Sequence, residues 1–167
     1  MTMTHSPRSQ SASTVARDSS DLLMISGYSI SDGGSYASLQ RVGLEGAHQE
    51  ELFSTVGRMA SAVTLSTGEV LLTGGKGVEQ VVFLLDGPDL SKWVPKQHLQ
   101  EGRQGHSSIA TILGPGSGEK VIVAGGWSEK GETLKSVELY NLRQNRWQFI
   151  NHLPSPRADF TLQARGN

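Results

Sequence analysis

The chain contains no cysteine. This excludes disulfide staples, thiolate metal sites and cysteine nucleophiles, and it fits a reducing, cytoplasmic compartment. Long apolar runs are also missing: no stretch approaches the roughly twenty residues a membrane-spanning helix needs. The first residues lack the continuous apolar segment of a secretory leader. Nor is there an excess of one charge. Fifteen Lys and Arg face sixteen Asp and Glu, for a formal charge of −1. The basic residues are scattered, so no stripe exists to neutralise nucleic-acid phosphates, and a net charge near zero gives no electrostatic steering. Residues 1–20, MTMTHSPRSQSASTVARDSS, are poor in apolar side chains. They bury too little to offset their ordering entropy and read as a disordered Ser/Thr-rich tail.

Glycine is plentiful, with twenty residues and no Gly-X-Y period. Glycine among short apolar runs points to an all-β chain rich in tight turns. DLLMISGYS (21–29), GEVLLTGGK (68–76) and EKVIVAGGW (119–127) superpose without gaps, and Gly27 falls among the pairs Gly74-Gly75 and Gly125-Gly126. A second anchor agrees. HQEELFSTVGR (48–58), WVPKQHLQEGR (93–103) and WQFINHLPSPR (147–157) also superpose, ending on Arg58, Arg103 and Arg157. Two independent anchors give one period of about 50 residues, the signature of a repeat architecture.

One unit reads as four strands. QGHSSIATIL follows Arg103, GPGSG (114–118) makes a hairpin turn, and KVIVAGG is apolar on both faces and therefore buried. A polar loop, WSEKGETLK, leads to SVELYNL, then a turn at RQN and a fourth strand, RWQFI (146–150). Short strands joined by tight turns form one antiparallel sheet. Glycine pairs end the second strand where main chains must approach closely.

These residues resemble kelch repeats. Arg103 with His106-Ser107 resembles the start of the family's first strand, Gly125-Gly126 its glycine doublet, and Tyr140 with Trp147 its tyrosine–tryptophan pair. The preceding unit departs from the pattern: Met59-Ala60-Ser61 stands in place of the histidine motif, and Leu85 or Asp86 in place of the tyrosine before Trp93. The first unit has Ser26-Gly27 for the doublet and His48 in the tryptophan column. The resemblance implies an all-β, kelch-type β-propeller segment over 21–167. It divides into an incomplete blade (21–57), two blades (58–102 and 103–156) and a first strand (157–167) able to complete the N-terminal blade. The strands then number three, four, four and one. Three blades are fewer than the about four to eight of a closed propeller. An open blade face of several hundred Å² forfeits on the order of 10 kcal/mol. The expectation is either a fragment or short isoform of a longer parent chain, or self-association of two copies into a ring.

The resemblance also implies a protein-interaction module that binds a protein or peptide ligand through loops on one face, where relatives bind peptides. The residues there are Tyr28, Ser29, Asp32, Ser35 and Tyr36, then Lys76 and Glu79, then Trp127, Ser128, Glu129 and Lys130. Trp127, just past the glycine pair, is either an exposed anchor or packed on its own loop. Arg58, Arg103 and Arg157 are expected to brace the loops leading into each blade by donating to carbonyls. Trp93 and Trp147 are expected between blades with a partner for each indole N–H. Rival readings are a truncated isoform with no independent function, and an oxidase-like enzyme, whose thioether-linked copper site this cysteine-free chain cannot form. GPGSGEK lacks phosphate-loop spacing, and no histidine pair has zinc spacing. No catalytic residue, metal or cofactor is called for, and neither nucleic acid nor membrane is expected as a partner.

Overall fold

The computed structural model of the chain describes residues 12–15, 22–28, 35–43, 46–52, 57–87 and 92–164, with side chains from residue 57 onward. Strands alone make up the regular structure of these residues. The first sheet holds β1 (Ala12–Val15), β2 (Leu22–Tyr28), β3 (Ser35–Gly43) and β4 (Gly46–Leu52). The second holds β5 (Ser61–Thr64), β6 (Val70–Thr73), β7 (Val82–Asp86) and β8 (Lys92–Pro95). The third holds β9 (Ser107–Ile112), β10 (Glu119–Ala124), β11 (Val137–Asn141) and β12 (Arg146–Phe149). Each is an antiparallel meander whose spatial order follows the sequence. The first strands of successive sheets are neighbours, β1 beside β5 and β5 beside β9. The Ser61 and Ser108 hydroxyls hydrogen-bond across the second of these junctions at 2.7 Å. Sheets stacked on their first strands are blades around an axis.

Packing follows the two-residue period of a strand. On β6, Val70 and Leu72 face one way and join Ala60 and Leu85, with Phe83 and Trp93 against them. Leu71 faces the other way and joins Val82, Leu84 and Leu99 of its own blade with Val121, Val123, Tyr140 and Trp147 of the next. Every residue of β6 is therefore buried, which is why its run is continuously apolar rather than alternating. Tyr140 and Trp147 stack with ring centroids 4.6 Å apart. The Trp147 indole donates to the Gln97 carbonyl of the preceding blade at 2.8 Å. The Tyr140 hydroxyl donates to Asn145 Oδ1, and burial pushes its phenol up to about 12. Trp93 meets Phe83 edge-on at 5.5 Å and is half-buried.

The two chain ends show details that the sequence reading does not contain. Four residues of the expected tail, Ala12–Val15, pair with Leu22–Ile25 as β1. β2 offers an unpaired edge, and a short β-branched and small-residue segment fits it through main-chain hydrogen bonds that need little apolar surface. At the other end, within the segment 157–167 read as a first strand of a next or ring-closing blade, residues 157–164 form no ladder, and β1 stands at the edge of the N-terminal sheet beside β2. That C-terminal segment instead lies against the third blade, where the Leu162 amide donates to Ser107 Oγ at 3.0 Å.

Candidate functional site

In the second and third sheets, the loops after the second and fourth strands gather on one face, tied together by main-chain hydrogen bonds. The Gly75 amide donates to the Arg103 carbonyl (3.0 Å), and its repeat equivalent, the Gly126 amide, donates to the Arg157 carbonyl (2.9 Å). Gln104 and Trp127 exchange a pair of such bonds at 3.0 and 2.8 Å. Gly105 donates to the Met59 carbonyl and Asp159 to the Gly105 carbonyl, linking three successive loops in series. This contact explains the glycine doublets. A Cβ on Gly74 would run into the Arg103 carbonyl and stand 2.9 Å from His106 Cε1, and one on Gly125 would run into the Arg157 carbonyl and stand 2.7 Å from the Phe160 ring.

Beneath this face, Arg103 is fully buried. Its Nη1 donates to the Gly125 carbonyl (2.8 Å) and the Ser136 carbonyl (3.3 Å), and its Nη2 to Ser136 Oγ (3.1 Å) and Glu138 Oε1 (2.8 Å). Glu138, equally buried, also accepts the Gln100 and Glu101 amides, and the Ser136 hydroxyl donates to Glu101. Arg103 thus ties the loop leading into the third blade to two carbonyls, a hydroxyl and a carboxylate of that blade. The Arg157 side chain is exposed and donates to Ser155 Oγ. Arg58 is half-buried, and its carbonyl accepts the Lys76 amide. The sequence reading missed Glu138. The available signal was an acid between Val137 and Leu139 in a strand buried on both faces, where a charge requires a partner.

His106 is wedged between the glycine pairs of the second and third blades. Its Nε2 lies 2.8 Å from Thr73 Oγ1, whose hydroxyl donates to the Ser61 carbonyl. The ring N–H therefore donates to Thr73, and Nδ1 is left as a bare acceptor. Burial, then the Arg103 charge, lowers its pKa to about 3. Hydroxyl and imidazole could suggest a nucleophile and base, but both are sealed between blades, where no substrate reaches them.

The loop residues themselves separate into anchored and free. Lys76, Glu129 and Lys130 are exposed. Ser128 shapes its turn, accepting the Glu132 amide on Oγ. Trp127 is half-buried, and its ring covers Gly105, where a Cβ would stand 2.6 Å from Cζ3. The indole thus packs on the neighbouring loop rather than on its own. Tyr28 pairs with Ser35, and Tyr36 with Gly27, at the loop end of the β2–β3 hairpin. Their side chains and Asp32 lie outside the described residues. GPGSG is a hairpin tip, with the Ser117 amide donating to the Gly114 carbonyl. Among the described residues, no group of three or more His, Cys, Asp or Glu is placed to hold a metal ion, and no helix is long and apolar enough to cross a membrane.

Residues 116–154 match the family model of the Kelch motif. They cover β10 to β12 and the glycine pair between, so the third sheet is a kelch-type blade, and the second repeats its architecture. No curated protein matches the chain.

Proposed function

We propose that the chain acts as a protein-interaction module, binding a peptide or protein through the loops at 74–81 and 125–136. The observation that carries this reading is the contrast within those loops. Their main chains are pinned to neighbouring blades by hydrogen bonds, while Lys76, Glu129 and Lys130 extend into solvent. Rigid main chain with free polar side chains is suited to recognition, because little ordering entropy is lost on binding. Kelch repeats generally serve in protein–protein interaction.

The test is peptide selection by phage display against the full chain, followed by affinity measurement on a variant carrying Lys76→Ala, Glu129→Ala and Lys130→Ala. The selected peptides should lose more than about tenfold in affinity on the variant, with unchanged thermal unfolding. Full retention of binding by the variant would remove these loops from the interface.

A further inference from the structure

The outer edges of the second and third blades differ in a way that repeat geometry does not require. In the gapless alignment, KWVP of β8 stands against RWQF of β12, so Pro95 and Phe149 share a column. The Lys96 amide donates to Val82 and the Ile150 amide to Val137, at 3.0 and 2.9 Å. Hydrogen-bonding residues alternate along an antiparallel pair, so residues 95 and 149 turn their main-chain groups outward to the open edge. The same alternation sends the Trp147 carbonyl outward, where Gln100 Nε2 donates to it at 2.6 Å. At 95, proline removes the donor and blocks an incoming strand. At 149 the N–H is present, no bond to it is made among the described residues, and the phenylalanine ring is 48% exposed. Beside this edge runs a cleft of about 470 Å³ whose lining includes Gln97, His98, Gln144 and Arg146, and no acid.

The geometry points to β12 as a docking edge for an extended acidic peptide. The peptide adds as a fifth strand, exchanging main-chain hydrogen bonds at Phe149, laying an apolar side chain on the Phe149 ring and directing a carboxylate to Arg146 and His98. Alternate side chains of an added strand fall on opposite faces, so the fitting sequence alternates apolar and acidic residues. This edge is distinct from the loop face, and its use does not depend on that face.

The probe is a fluorescein-labelled peptide alternating valine and glutamate, blocked at both ends, titrated against the full chain by anisotropy. Saturable binding is expected, weakened more than about tenfold when lysine replaces glutamate in the peptide or when Arg146→Glu is introduced, and abolished by Phe149→Pro, which copies the native block at 95. Because Phe149→Pro could disturb folding, hydrogen exchange on the unaltered chain gives a second reading: the Phe149 amide should gain protection when peptide is added. The triple loop variant at Lys76, Glu129 and Lys130 should bind the peptide as the parent does. Equal affinity for the lysine peptide, unchanged exchange at Phe149, loss of binding in the loop variant, or no binding at all would overturn the assignment. So would a dimer that Phe149→Pro converts to monomer, since the edge would then belong to a second copy.

Discussion

His106 illustrates how a single residue ties the stack to pH. In the folded chain its pKa is lowered to about 3 from 6.5, so the unfolded chain takes up the proton first. Its contribution is fully present above pH 6.5 and is lost as pH falls toward 3, at about 1.4 kcal/mol per pH unit. Urea midpoints measured between pH 7 and 4 should show this slope, and His106→Gln, which can still donate to Thr73, should flatten it. The glycines make a second residue-scale prediction. Gly125 and Gly116 both have positive φ, at 58° and 74°, but they differ in surroundings. An added Cβ at Gly116 meets nothing within 4 Å, whereas at Gly125 it strikes the Arg157 main chain. Gly116→Ala should cost about 1 kcal/mol of backbone strain. Gly125→Ala should cost about 3 kcal/mol or more, since neighbouring main chain must move. Equal losses in chemical denaturation would show that conformation alone, not close approach, selects the doublet.

At the scale of the element, the third blade is joined to the second by a buried ion pair and a tryptophan. Arg103→Ala leaves Glu138 charged, buried and held only by amides, and should destabilise by about 3–5 kcal/mol. Arg103→Lys should recover little, because one ammonium cannot reach the carbonyls, hydroxyl and carboxylate that two guanidinium arms serve. Trp147→Phe keeps the stacking ring and loses the bond to Gln97, for a cost of about 1 kcal/mol by denaturation. Much of this element structure was legible beforehand. KVIVAGG read as a strand buried on both faces because its apolar run does not alternate, VLLTGG superposed on it, and the glycine pairs marked where such strands end. Other elements were not legible. Ala12–Val15 pairs through main chain, to which side-chain pattern is nearly blind. Phe160–Ala164 has the composition of a first strand, but a ladder needs a partner that composition does not supply. Glu138 was hidden by the alternation of Val137 and Leu139, which points the reader to one face of a strand that is buried on both.

At the scale of the molecule, the account stands on three four-stranded sheets stacked through their first strands, with recognition surfaces left at the loop face and at the β12 edge. The period of about 50 residues carried this architecture in the sequence, since two anchors in separate strands repeat in phase. The loop site was legible only in part, because whether Trp127 projects or packs depends on Gly105, a contact set by the neighbouring strand rather than by local sequence. The stacking can be tested directly because the chain has no cysteine of its own. Ser61 and Ser108 lie in different sheets with hydroxyls 2.7 Å apart, which holds their β-carbons to within about 5.5 Å, so that a small local adjustment lets a disulfide close. The measurement is mild oxidation of the Ser61→Cys, Ser108→Cys chain, read by non-reducing electrophoresis and peptide mass. Rapid, intramolecular closure at low protein concentration is the predicted result. Two thiols that stay reduced, or that link only between molecules, would contradict the stacked-blade arrangement.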